Sequence, residues 1–187
     1  MLPRRRMLSF CAAALLLGVS PLMAANITYT ISGTLGPVLA GSDPLGANGE
    51  SGVLTATVSN TLTPTSKTST TATYTLPVGA ITVNIGGTVY DTTGTSTLKY
   101  SIPASGPDTM VITTSVSVDG LNGTVVGTVS LAHGSFKSGI LKHPAKFAPA
   151  TQTLKAATKA GGAGSQVKYT VPLLGSTTLG IAGSASN

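Results

Sequence analysis

Apolar and polar residues alternate along much of the chain with the two-residue period of a β-strand. The longest run covers 108–118, where the apolar face carries Met110, Ile112, Thr114, Val116 and Val118. The residues between them are mostly threonine and serine, and they belong to the opposite face. The pattern predicts a long strand with one buried face and one polar face.

The residues after this strand are typical of a reversal. Asp119 to Gly123 contains two glycines and an asparagine, which tolerate a positive φ. Apolar residues return at every second position from Val125 to Leu131. We predict that 108–131 is the central hairpin of an antiparallel sheet, and that Gly86-Gly87 closes a second hairpin.

Shorter runs with the same period predict further strands. They begin near Ile27, Leu54, Ala72, Ile81, Leu98, Val167 and Leu179, and 135–141 is a plausible addition. Residues 33–52 and 61–69 predict connections, because they are polar or rich in proline and glycine. Residues 151–160 fit either a helical turn or extended structure. About ten short strands without a long helix predict an all-β fold, as an antiparallel β-sandwich or jelly roll.

Four tyrosines fall on the apolar faces of these strands: Tyr29, Tyr74, Tyr100 and Tyr169. We expect them to pack in the core with their hydroxyls at its rim. The alternative is that they form a platform for stacking sugars.

The first 25 residues have the features of a secretory signal peptide. Arg4 to Arg6 form a basic start, Met7 to Val19 an apolar run, and Ala24 and Ala25 a cleavage site. The arginines also fit a loose twin-arginine pattern, so the export route stays open. We predict export to the periplasm or the medium, and one β-sandwich domain over 26–187, where about 160 residues suffice for a single core.

Loss of the signal peptide changes the charge of the chain. Eleven basic residues become eight lysines when three arginines leave, and with five acids the net charge falls from +6 to +3. A mature chain without arginine is a poor candidate for nucleic-acid recognition. Cys11 lies in the signal peptide, so neither a disulfide nor a thiol nucleophile is expected. The apolar run is too short for a confident membrane span.

Catalytic residues are not grouped in the sequence. The five acids are dispersed, and no Gly-x-Ser-x-Gly motif is present. We therefore predict no enzymatic activity. An enzyme would need His133 or His143 beside a carboxylate in a cleft.

A metal site has more support, in the loop before the second strand. Asp43, Asn48 and Glu50 supply the oxygen ligands that calcium takes, although Asp43 before Pro44 also fits a turn. Zinc has only His133 and His143 as ligands. No other cofactor is expected.

The order of the first two strands resembles secreted bacterial β-sandwich proteins of the PEP-CTERM type. The similar residues are 29–34 (Tyr-Thr-Ile-Ser-Gly-Thr), a Gly/Asp loop, and 52–58 (Gly-Val-Leu-Thr-Ala-Thr-Val). The last residues, 183–187, lack the sorting motif, apolar span and basic tail of that group. The resemblance implies an exported bacterial β-protein without an assigned activity.

These features favour a structural or interaction module at the cell surface or outside the cell. The alternative is a carbohydrate-binding module, with calcium assisting from the Asp43 loop. Its partner, a protein or a glycan, is not identified by the sequence. The low charge of the strands also allows self-association through sheet edges.

Overall fold

The computed structural model describes residues 25–118, 120–144, 150–172 and 174–187. The predicted signal peptide lies outside this range except for Ala25, as do Asp119 and most of the proline-containing loop at 143–149. The described part of the chain is antiparallel β-structure without an α-helix, so the predicted all-β class is confirmed. It contains twelve strands, where about ten were predicted.

The strands have the following bounds. They are β1 (Asn26–Ala40), β2 (Ser51–Ser59), β3 (Ser66–Lys67), β4 (Thr71–Leu76), β5 (Ile81–Ile85), β6 (Thr88–Tyr90), β7 (Ser96–Ser101), β8 (Asp108–Val118), β9 (Leu121–Leu131), β10 (Thr151–Leu154), β11 (Gln166–Val171) and β12 (Gly175–Ser186). A 3₁₀ helix, Ser138–Leu141, lies between β9 and β10.

Both predicted hairpins are present. β8 and β9 pair without a break from Asp108 opposite Leu131 to Val118 opposite Leu121, so the turn is tighter than the predicted 119–123. Gly86 and Gly87 join β5 to β6 with φ values of 58° and 86°. Two consecutive positive φ angles match the twist of a two-residue hairpin, which explains why both positions are glycine.

All twelve strands belong to one sheet. Its order is β3-β4-β7-β8-β9-β11-β12-β1-β2-β5-β6, and β10 pairs with β12 beside β11. The sheet curls so strongly that Tyr29 in β1 packs edge-on against Tyr100 in β7, with ring centroids 6.2 Å apart, although four strands separate them in the sheet. A bridge between Thr92 and Val116 also ties the segment after β6 to β8. The strands thus form one continuous sheet curled into a half-barrel, where two sheets packed as a sandwich or jelly roll were predicted.

The concave side of the sheet holds the core. All four predicted tyrosines, at positions 29, 74, 100 and 169, are buried there, which confirms their place in the core. The hydroxyls of Tyr74 and Tyr100 are buried as well, so the prediction that they lie at the rim is wrong. The hydroxyl of Tyr74 donates to the carbonyl oxygen of Ile140 in the 3₁₀ helix. This bond holds the helix against the inner side of β4.

Three predictions of local structure need correction or refinement. β1 continues to Ala40, through residues predicted as loop, because β12 supplies paired backbone groups across two register shifts. Residues 138–141 form a 3₁₀ helix where a strand was predicted, since adjacent Ile140 and Leu141 are both buried and a strand would send them to opposite faces. Residues 151–160 are extended only over β10.

Candidate functional site

The loop between β1 and β2, which carries the predicted calcium ligands, is held by backbone hydrogen bonds. The amide of Leu35 donates to the carbonyl of Glu50 at 2.9 Å, and the amide of Gly49 donates to the carbonyl of Leu35 at 2.7 Å. Gly46 and Gly49 have φ values of 62° and 90°, which glycine adopts without strain. The backbone of the loop therefore has a defined conformation.

Asp43 anchors this loop to the sheet. Its Oδ2 accepts a hydrogen bond from the Asn48 amide at 2.7 Å, and its Oδ1 accepts one from the hydroxyl of Tyr169 in β11. Burial alone would raise the pKa of Asp43, but the hydrogen bonds from Tyr169 and from the amides of Asn48 and Ala47 outweigh burial and lower it. Burial and the Asp43 carboxylate raise the pKa of Tyr169 to about 12.

The other two predicted ligands face different neighbours. A β-carbon built on Gly36 would lie 2.4 Å from Oδ1 of Asn48, and one built on Gly86 would lie 3.2 Å from Oε2 of Glu50. No three His, Cys, Asp or Glu side chains among the described residues form a group that could hold a metal ion. Calcium binding stays a prediction, and the ion would compete with the Tyr169 hydroxyl for Asp43.

The second candidate is a histidine–carboxylate pair, of which the sequence indicated His133 but not its partner Asp108. Nδ1 of His133 lies 3.7 Å from Oδ1 of Asp108. Asp108 is 1% exposed and its Oδ2 accepts the Phe136 amide at 2.9 Å, whereas the His133 side chain is 58% exposed. The predicted hairpin held a signal for this pair, because Asp108 pairs with Leu131 and His133 follows two residues later.

This pair has one of the features that catalysis would require, a histidine beside a carboxylate. The hydroxyl of the same turn, Ser135 Oγ, lies 2.6 Å from the carbonyl oxygen of Ala132 and 3.3 Å from Oε1 of Gln152. In this arrangement the Ser135 hydroxyl is directed to Ala132 and Gln152. His143 is exposed on a separate loop.

The third candidate is the convex surface of β4, β7, β8, β9 and β11, which we call the outer face. Strand pairing aligns its side chains in rows across the five strands. One row is Thr75, Thr97, Thr113, Val126 and Lys168, and the next is Thr73, Lys99, Val111, Thr128 and Gln166. With strands 4.7–4.9 Å apart, each row spans about 19 Å.

Two shorter rows extend the same surface. They are Thr71, Ser101, Thr109 and Ser130 on one side, and Ser115, Thr124 and Thr170 on the other. None of these residues is buried. The outer face therefore presents closely spaced hydroxyl groups with only two valines among them.

The charges on the outer face have one sign. Lys99 and Lys168 are exposed within its rows. Lys155 and Lys159 are exposed in the loop after β10, and in the same loop the Gly161 amide donates to Oε1 of Gln166, a residue of the outer face. Among the described residues, no acid lies in the four rows. Asp91 lies one row beyond them, where its backbone carbonyl accepts a hydrogen bond from the Ser117 amide.

The tyrosine platform considered for sugar stacking is not available at this surface, because those four tyrosines are inside the core. Helices of the length and apolarity needed to cross a membrane do not occur in the described residues. Comparison of the chain with protein-family models, curated proteins and solved structures finds no match. The functional interpretation therefore depends on the chemistry of the candidate sites.

Proposed function

We propose that this chain is an exported bacterial module without catalytic activity, which acts by presenting its sheet surface to a partner at the cell surface or outside the cell. The outer face is the observation that carries this proposal. Its hydroxyls each donate and accept a hydrogen bond, and their positions are fixed by the sheet rather than by mobile loops. Such a surface suits the binding of an extended polar partner.

Export is supported by the sequence of the first 25 residues, with Arg4 to Arg6 before the apolar run. The non-catalytic part of the proposal is supported by the exposed position of His133 and by the hydrogen bonds that occupy Ser135. Self-association through sheet edges has less support. The edge strands β3 and β6 have only two and three residues, and short edges oppose intermolecular pairing.

Fractionation of a bacterial host that expresses the full chain tests this proposal. We expect the processed protein outside the cytoplasm, with a mass that matches cleavage after Ala24 or Ala25. The folded protein should sediment with isolated cell-surface material, and heat-unfolded protein should not. A cytoplasmic, unprocessed product, or an enzymatic activity that His133→Ala abolishes, would contradict the proposal.

A carbohydrate-binding module is the second candidate, favoured by the hydroxyl rows rather than by aromatic stacking. Calcium could assist through Asp43, Asn48 and Glu50 in this version. A thermal melt with calcium and with a chelator tests that part, because a ligand at 100 times its dissociation constant stabilises the folded state by about 2.7 kcal/mol. An equal midpoint in both conditions would remove calcium from the proposal.

A further inference from the structure

We infer that the outer face binds an anionic polysaccharide, whose carboxylates pair with Lys99 and Lys168 while the threonine rows hydrogen-bond its hydroxyls. This inference rests on the proposed function and names the class of partner. It is carried by charge complementarity, because the rows contain two exposed lysines and no acid. Two more exposed lysines, Lys155 and Lys159, are in the segment that leads into β11.

The spacing of the lysines suits an extended polymer. Lys99 and Lys168 lie in adjacent rows and three strands apart, which is about 15 Å along the sheet. Thr113 and Thr128 lie between them on the two central strands. A polymer that carries a negative charge on several successive units could reach both lysines and still contact the hydroxyls between them.

The composition of the face favours a polysaccharide over other anionic partners. A nucleic acid would be expected to meet arginine and exposed aromatic side chains, and residues 26–187 contain no arginine. A protein partner would be expected to meet a buried apolar centre, whereas only Val111 and Val126 interrupt the hydroxyls. Lysine ammonium groups can donate to the carboxylates of an acidic sugar, and threonine hydroxyls can donate to and accept from its hydroxyls.

The test is a calorimetric titration of the purified protein with polygalacturonate at low ionic strength, with dextran as the neutral comparison. We expect binding to polygalacturonate only, and weaker binding as salt is added, because exposed charges are screened. Lys99→Gln/Lys168→Gln should weaken it about fivefold, the factor expected for the loss of two exposed ion pairs of roughly 0.5 kcal/mol each. Both side chains are exposed, so the melting temperature should change little.

Lys137→Gln/Lys142→Gln provides the matched control. It removes the same charge from exposed positions on either side of the 3₁₀ helix, away from the outer face. We expect its affinity to stay within twofold of the unsubstituted protein. Thr113→Glu, which places an acid in the centre of a row, should abolish binding.

Four outcomes would overturn the inference. Equal weakening by the two lysine pairs would mean attraction by net charge alone. Equal binding of dextran would mean that charge does not select the partner. If the protein sediments with cell-surface material but does not bind polygalacturonate, this partner class is rejected and the proposed function is retained. Failure of both assays would reject both proposals.

Discussion

The hydrogen bond between Tyr169 and Asp43 joins residues 126 positions apart and holds the first long loop on the sheet. Tyr169→Phe removes only the hydroxyl and leaves the buried ring in place. A hydrogen bond to a charged group contributes roughly 1.5–3 kcal/mol to stability. Asp43 is only partly buried, which favours the lower end of this range. We therefore expect the free energy of unfolding to fall by about 1.5 kcal/mol and the melting temperature by about 3–6 °C.

The stability difference should depend on pH in a defined direction. The lowered pKa of Asp43 adds stability above its unfolded value of about 3.9, and this is lost as the pH falls through the folded pKa. The raised pKa of Tyr169, about 12, adds stability below the unfolded value of about 10 that is lost as the pH rises from 10 to 12. The difference between the two proteins should therefore be largest near neutral pH and smaller at both extremes.

Urea unfolding followed by far-ultraviolet circular dichroism measures these free energies. Asp43→Asn is the matched variant, because it keeps an oxygen acceptor and removes the charge, so we expect a smaller loss. A double-mutant cycle between Asp43→Ala and Tyr169→Phe should give a coupling of about 1 kcal/mol or more. Equal stability of Tyr169→Phe and the unsubstituted protein at neutral pH, or a loss that does not vary with pH, would refute this reasoning.

Three further predictions concern the core and the sheet. The pKa of Tyr74 is raised by burial to about 12, and that of Tyr169 is raised to a similar value. The urea midpoint should therefore fall as the pH rises from 10 to 12, and tyrosinate absorbance should increase when the protein unfolds. Gly183→Ala should destabilise the protein by about 1–3 kcal/mol, because the new β-carbon would lie 2.1 Å from a β1 carbonyl oxygen. Gly139→Ala, where nothing lies within 4 Å, should change thermal stability little; equal melting temperatures for the two alanine variants would contradict this. Leu98→Ala should cost about 2–5 kcal/mol in urea unfolding, since this β7 side chain is fully buried, and a loss below 1 kcal/mol would place it outside the core.

Much of the sheet could be predicted because threonine and serine mark the outward positions of strands whose inward positions are apolar. The Gly86-Gly87 turn and the β8–β9 hairpin follow from local chemistry of this kind. The extension of β1 to Ala40 could not be predicted in the same way. Glycine and proline in this segment indicate a loop, and only the pairing with β12, near the other end of the chain, makes it a strand.

For the candidate sites, too, local pattern predicts which side chains face outward but not which of them lie close together. The outward orientation of Lys99 and Lys168 follows from their alternation with buried neighbours in β7 and β11. Their presence on one surface depends on the sheet order, which places β8 and β9 between them and which local periodicity does not specify. The contact of Asp43 with Tyr169 likewise depends on long-range pairing.

The most direct test of the account is to map the partner-binding surface by nuclear magnetic resonance. Backbone amide shifts of the isotope-labelled protein would be recorded during a titration with short oligogalacturonates. We expect shifts concentrated in β7, β8, β9 and β11 around Lys99, Thr113, Thr128 and Lys168. Shifts confined to the Asp43–Glu50 loop or to the surroundings of His133, or no shifts at all, would contradict it.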